Sequence, residues 1–166
     1  MQKILIVIDM QDFFVTGHLA DGALAIVPAV VEKIKGFDGP VYVTQDINPS
    51  CDENSPGFAI YPQILDALPE GAVYFHKRTF GCVELAQAIR DKYGAPGAPG
   101  PEGEPLLEIE FCGVCTNVCV ISNALMLKAF LPKARITLDS ACCAGFTPEL
   151  HQAALDVMKS CRIDVV

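Results

Sequence analysis

The chain has 166 residues and carries 12 basic against 20 acidic side chains, a formal net charge of −8. Hydrophobic residues make up 51% of the sequence and charged residues 19%, which excludes the low hydrophobicity and high charge of a disordered chain. The sequence lacks the cationic footprint that nucleic acid or an anionic membrane surface requires, so we expect neither as a partner. This length predicts a single domain over residues 1–166.

The opening apolar run, residues 4–8, is too short for a signal sequence or a membrane span, which predicts a cytoplasmic protein. The eight cysteines fall mostly in apolar surroundings. In that compartment most of them are expected to be small buried hydrophobic residues and not a disulfide framework.

Short β-branched runs alternate with longer segments of helical periodicity along the chain. The predicted strands are residues 3–8, 41–44, 72–75, 106–112, 135–138 and 162–166. The predicted helices are residues 23–35, 83–93, 117–130 and 148–161, the last with Thr147 as N-cap and Pro148 at its first position. Proline-containing residues 46–62 are predicted to be a long loop, and the Gly/Pro-rich residues 94–105 a surface excursion and not a domain linker.

Six strands separated by helices or long crossovers predict an α/β fold. We expect a doubly wound, mainly parallel six-stranded sheet with helices on both faces, a three-layer Rossmann-like arrangement. The nearly continuous apolar strands agree, because strands buried on both faces lose the alternating pattern. Ligands in such sheets bind beyond the carboxyl ends of the strands, so reactive side chains that follow strands are the candidates for a site.

Three strand ends carry such side chains: Asp9, Lys77 and Cys119. Asp9 is either a cap or a site carboxylate, and burial would raise its pKa and make it a proton acceptor near neutrality. Lys77 is either an exposed residue at a strand end or the buried cation whose positive charge offsets those of a buried carboxylate and a thiolate. His76 should point to the opposite face of its strand, while His18 and His151 are expected to be solvated residues and not ligands.

Cys119 follows a strand, a turn and the start of a helix, the arrangement of a nucleophile elbow. Gly113 permits the sharp turn, and Thr116 or Asn117 is expected to cap the helix. Free N–H groups and the helix dipole would then stabilise a Cys119 thiolate, and the same groups could hold an oxyanion.

Two other interpretations of the cysteines stay open. Cys112 and Cys115 form a C-x-x-C that could be a redox pair, although Cys112 ends a strand and does not begin a helix. Cys112, Cys115 and Cys119 could bind zinc or a cluster with Cys142 and Cys143, although no second C-x-x-C and no histidine at zinc-finger spacing supports this.

At these residues the sequence resembles the isochorismatase-like cysteine hydrolases, the family that includes nicotinamidases. The similar segments are residues 6–14, 77–80 and 113–120, in the family's order. The resemblance implies a catalytic triad of Asp9, Lys77 and Cys119.

The resemblance also implies a cis peptide between Val114 and Cys115, and an oxyanion hole made by the N–H groups of Cys115 and Cys119. Phe14 corresponds to an aromatic residue of the family's substrate pocket, and Phe80 is a candidate for its second wall. The implied reaction is hydrolysis of a small amide or carbamoyl compound through a thioester. Alternatives are isochorismatase-type vinyl-ether hydrolysis and a non-catalytic binder of small molecules. The family and the apolar fraction also predict a homo-oligomer.

The segment after the second strand departs from the nicotinamidase pattern. Nicotinamidases hold a metal there with an Asp-x-His segment and further histidines, whereas this chain has Asp46 followed by Ile47 and Asn48, and no histidine between Asp46 and Phe75. Asp46 is the one weak metal candidate. We therefore predict no metal and no cofactor.

Overall fold

The computed structural model describes residues 1–17, 20–94 and 107–166, and its centre is a six-stranded sheet. The strands are β1 (Gln2–Ile8), β2 (Val41–Asp46), β3 (Val73–Lys77), β4 (Leu107–Val114), β5 (Arg135–Ala144) and β6 (Asp164–Val165). They lie in the order β3-β2-β1-β4-β5-β6, and every neighbouring pair is parallel. The strand order reverses between β1 and β4, which makes their carboxyl ends the switch point where such sheets bind ligands.

Helices connect the strands on both sides of the sheet. They are α1 (Asp12–Val15), α2 (Ala23–Gly36), α3 (Pro62–Ala67), α4 (Val83–Tyr93), α5 (Ile121–Phe130) and α6 (Pro148–Ser160). A short 3₁₀ turn spans Pro56–Phe58, and a π-helical turn, Thr116–Val120, precedes α5. Among the described residues, no helix combines the length and the apolar character needed to cross a membrane.

Strand β1 is buried on both faces and divides the core in two. Ile4, Ile6 and Ile8 pack with the buried faces of α4, α5 and α6. Leu5 and Val7 pack on the other side of the sheet against α1, α2 and α3. Both faces of the sheet are therefore covered, which confirms the predicted doubly wound α/β architecture of three layers.

The predicted elements differ from the structure in β5 and around β2. Strand β5 runs six residues further than expected, to Ala144. Strand β2 runs two residues further than expected, to Asp46, and the predicted long loop contains the 3₁₀ turn before Pro62 begins α3. Pro62 occupies the first helical turn, where its missing N–H costs nothing. The helix predicted over residues 148–161 is confirmed, with the Thr147 side chain accepting a hydrogen bond from the Leu150 N–H.

Three expectations lie outside the described residues: the loop position of His18, the strand start at residue 106, and nearly all of the surface excursion over residues 94–105.

Candidate active site

Three side chains from three separate strand ends meet in one buried cluster. The Lys77 Nζ lies 2.7 Å from Asp9 Oδ2 and 3.4 Å from Cys119 Sγ. The exposed fractions of Asp9, Lys77 and Cys119 are 0%, 2% and 4%. The structure therefore brings together the three residues that the sequence singled out, at the switch point of the sheet.

Asp9 is held by the neighbouring strand β2. Its N–H donates to the Thr44 carbonyl at 3.2 Å, and the Thr44 hydroxyl donates to Asp9 Oδ1 at 2.7 Å. The backbone of Asp9 has a φ of 50°, a left-handed conformation that aspartate tolerates better than most residues. Burial raises the pKa of Asp9 above 3.8, although the Lys77 charge and the Thr44 hydrogen bond oppose this. A carboxylate with a raised pKa is a better proton acceptor near neutrality.

Asp9 Oδ2 faces the Lys77 ammonium at 2.7 Å in the interior of the protein. A carboxylate oxygen has more than one lone pair, so Oδ2 can accept a proton while it pairs with the ammonium.

Lys77 ends strand β3, beside the last residue of β2, Asp46. It donates a hydrogen bond to Asp46 Oδ1 at 2.8 Å. Burial alone would lower the pKa of Lys77, but Asp9, Cys119 and Asp46 outweigh it and raise that pKa above its usual 10.5. Lys77 is therefore a cation throughout the neutral range.

The turn that carries Cys119 depends on Gly113. Gly113 has a φ of 118°, and a Cβ at this position would overlap the Ile8 carbonyl oxygen of β1. The following Val114–Cys115 peptide is cis, as the family resemblance implied. The π-helical turn then places Cys119 against Asp9 and Lys77.

The expected Cys119 thiolate is not supported by the surroundings of the sulfur. Burial and, after it, the negative charge of Asp9 raise the pKa of the Cys119 thiol above 9.0, and the Lys77 charge only partly offsets them. Loss of hydration in the closed site outweighs the helix N-terminus. The raised pKa favours a neutral thiol at rest, and a neutral thiol needs a base before it can act as a nucleophile.

The expected helix cap is also wrong. The turn has Cys115 at its N-cap position, and the Cys115 side chain makes no capping hydrogen bond. The Thr116 hydroxyl instead pairs with His151 Nδ1 at 2.8 Å, and Asn117 Oδ1 accepts the Phe146 N–H at 3.0 Å. Thr116 and Asn117 are thus engaged by α6 and by the residue Phe146 before it, and not by the turn itself. His151 is half-buried and not fully solvated, and burial lowers its pKa.

The two aromatic residues predicted to line a pocket have different exposures. Phe14 is 6% exposed and belongs to the core on the α2 side, whereas Phe80 is 62% exposed.

Sequence reasoning missed a residue, Asn123, that links Phe80 to Cys119 by hydrogen bonds. The buried Asn123 Nδ2 donates to the Phe80 carbonyl at 3.0 Å and to the Cys119 carbonyl at 2.7 Å. An asparagine inside a helix gave no local signal of this role.

His76 confirms the strand alternation, because it is exposed and its Nδ1 lies 3.3 Å from Glu53 Oε1 while Lys77 points inward. None of the eight cysteines is in a disulfide bond. In the described ranges, Asp9, Asp46 and Cys119 are the one set of three or more potential ligands close enough for a metal, so the predicted alternative of a multi-cysteine cluster is wrong.

The Asp9, Asp46 and Cys119 set does not fit a metal ion. Their ligand atoms lie within 4.8 Å of one another, but the Lys77 ammonium is in contact with all three. Both Asp46 oxygens are engaged, Oδ1 by Lys77 and Oδ2 by the Asn48 amide at 2.9 Å. A metal ion at this position would be repelled by the Lys77 ammonium and would have no histidine ligand.

Comparison with known proteins agrees with the geometry. The family model of the isochorismatase domain matches residues 3–166. A structure of the pyrazinamidase of Pyrococcus horikoshii in complex with zinc is 27% identical, has a TM-score of 0.79, and aligns over 100% of this chain and 99% of that chain. No curated protein sequence matches the chain.

Two further solved structures show the fold alone, because they are less than 25% identical. The nicotinamidase PncA from Bacillus subtilis is 21% identical, with a TM-score of 0.76 and coverage of 100% of this chain and 99% of that chain. An isochorismatase-like hydrolase from Alkaliphilus metalliredigens is 22% identical, with a TM-score of 0.76 and coverage of 100% and 94%.

Proposed function

The chain belongs to the isochorismatase family of hydrolases, and we propose that it hydrolyses a small amide or carbamoyl compound through a covalent thioester on Cys119. The observation that carries this proposal is the contact of one ammonium with both an acid and a thiol. Lys77 Nζ lies 2.7 Å from Asp9 and 3.4 Å from Cys119 in a site closed to solvent.

The raised pKa values of Asp9 and Cys119 support these proposed roles. Burial raises both pKa values, which favours a protonated Cys119 thiol and a more basic Asp9 carboxylate. Asp9 therefore acts as the general base that takes the thiol proton as the sulfur attacks the substrate carbonyl. Lys77 stabilises the negative charge while it moves from the carboxylate to the sulfur.

The remaining steps return each group to its starting state. The tetrahedral oxyanion is held by the backbone N–H groups of Cys115 and Cys119. Its collapse breaks the C–N bond, and Asp9 gives its proton to the leaving amine, which is ammonia for a primary amide. Asp9 then removes a proton from a water that attacks the thioester, and the acid product departs as the thiol is reprotonated. Phe14 and Phe80 are the proposed walls for the substrate.

The similar structures indicate which substrates to try first. Their names refer to amides of heteroaromatic acids, nicotinamide and pyrazinamide. The departure at Asp46 and Asn48 argues against assuming either one. A panel of primary amides and carbamoyl compounds that includes both, with ammonia release as the readout, is therefore the appropriate screen.

The test compares Cys119→Ala with Cys161→Ala, the same substitution at the half-exposed end of α6. We expect Cys119→Ala to remove ammonia release while Cys161→Ala retains the parent rate. Turnover by Cys119→Ala at the parent rate would refute the proposal. Vinyl-ether hydrolysis of the isochorismatase type does not use the cysteine, so its survival in Cys119→Ala would favour that alternative.

A further inference from the structure

We propose that Asp46 is a positioning residue for Lys77, and that this carboxylate serves the lysine instead of a metal ion. The inference rests on the proposed function, because it concerns how the same cluster is prepared for the proton transfer. Asp46 is 8% exposed and is brought to Lys77 by the β2–β3 register.

The surroundings of the ammonium show what Asp46 does. An ammonium has three N–H donors. In this site Lys77 Nζ lies 2.8 Å from Asp46 Oδ1, 2.7 Å from Asp9 Oδ2 and 3.4 Å from Cys119 Sγ. The three donors thus have three acceptors. The Asp46 contact fixes the ammonium in the position from which it also reaches Asp9 and the sulfur.

Asp46 is itself held on three sides. Its N–H donates to Gln11 Oε1 at 2.6 Å, and Gln11 Nε2 donates to the Asp46 carbonyl at 3.1 Å. Asn48 Nδ2 donates to Asp46 Oδ2 at 2.9 Å, and Asn48 Oδ1 accepts the Ser50 N–H at 2.9 Å, which fixes the orientation of that amide. Asp46 Oδ2 therefore accepts from the Asn48 amide, and that amide cannot rotate by 180° without losing its hydrogen bond from the Ser50 N–H.

Asn48 suggests a variant pair that isolates this role. In Asp46→Asn, an amide oxygen can still accept from Lys77, but the new amide nitrogen then faces the Asn48 nitrogen, a donor against a donor. The double variant Asp46→Asn/Asn48→Asp restores an acceptor at that point and keeps the net charge. We expect Asp46→Asn to lower kcat by about 100-fold with KM unchanged, because a misplaced ammonium affects the chemical step. The double variant should recover most of that loss.

Several outcomes of the kinetic test would overturn the proposal. These are an unchanged kcat in Asp46→Asn, a change confined to KM, or a double variant no better than the single one. If Asp46→Asn alone does not fold, the double variant decides: activity supports the proposal, and a folded protein as inactive as Cys119→Ala refutes it. Metal content of the purified parent enzyme decides if neither folds, since stoichiometric metal that activity requires would make Asp46 a ligand.

A thermal measurement separates this inference from the proposed function. We expect Asp46→Asn to lower Tm in the parent chain but not in a Lys77→Met background, where Asp46 has no ammonium to hold. Equal decreases in both backgrounds would show that Asp46 acts independently of Lys77 and would overturn the inference. This cycle needs no substrate, so it gives an answer even if no amide is hydrolysed.

Discussion

Raising the pH from 8 to 10 should strongly destabilise the fold, because the core contains thiols that ionise only when the chain unfolds. Cys112, Cys115, Cys119 and Cys143 are each at most 4% exposed. Burial raises the pKa of Cys115 to about 12, and it raises the pKa values of Cys112, Cys119 and Cys143 above the ordinary 9.0. In the unfolded chain the same thiols lose their protons near pH 9.

The sign and size of the effect follow from proton linkage. Above pH 9 the unfolded chain binds fewer protons than the folded one, so the free energy of unfolding falls as the pH rises. Each proton contributes about 1.4 kcal/mol per pH unit in that range. For four thiols the loss between pH 8 and pH 10 is about 5 kcal/mol, a large part of the 5–15 kcal/mol typical of a folded domain.

Urea unfolding in the presence of a reductant, followed by far-ultraviolet circular dichroism, measures this loss at each pH. The chain has no tryptophan, so fluorescence is the weaker probe. A Cys112→Ser variant should show a pH slope smaller by one proton. A free energy of unfolding that changes by less than about 1 kcal/mol between pH 8 and pH 10 would refute the reasoning.

Two other predictions concern the base and the turn. Asp9→Asn should lower kcat/KM by about 10²–10⁴-fold while the circular dichroism spectrum is unchanged, and the parent kcat/KM should fall as the pH drops through the Asp9 pKa, which lies above 3.8. Parent-like ammonia release by Asp9→Asn would contradict that role. Gly113→Ala should lower the free energy of unfolding by about 3 kcal/mol, because it forces a φ of 118° on an L-residue and brings its Cβ against Ile8. Gly36→Ala has open space around its Cβ and should change that free energy by less than about 1 kcal/mol, so similar urea midpoints for the two variants would rule out the strain at Gly113.

Strand periodicity and strand ends were sufficient to predict the architecture and to select Asp9, Lys77 and Cys119. Continuous apolar runs identify strands that are buried on both faces, and parallel strands must end on the same edge of the sheet. That logic needs no knowledge of side-chain partners. It therefore predicted which groups meet, but not the hydrogen bonds that orient them.

The role of Asp46 depended on information absent from its neighbourhood in the chain. Its partner Lys77 is 31 residues away, and only the β2–β3 register brings the two side chains together. The cap predicted at Thr116 or Asn117 was wrong for a similar reason, since His151 of α6 and the Phe146 N–H just before that helix supply other partners for the two groups. Local rules assign a polar side chain to the nearest backbone donor, and tertiary packing can offer a better one.

The prediction of a Cys119 thiolate considered the helix N-terminus without the burial of the sulfur, which raises the pKa of the thiol. The dipole effect at a helix end is typically below 1 kcal/mol at an exposed position, whereas loss of hydration can shift a pKa by several units. Burial of the whole cluster became visible only once β1, β3 and the turn after β4 were assembled.

Intact-protein mass spectrometry after rapid acid quenching tests the central claim most directly. During turnover of an amide identified in the screen, we expect a mass increase equal to the acyl group, located on Cys119 by peptide mapping and absent from Cys119→Ala. Efficient turnover without any adduct on Cys119, or an adduct on another residue, would contradict the account.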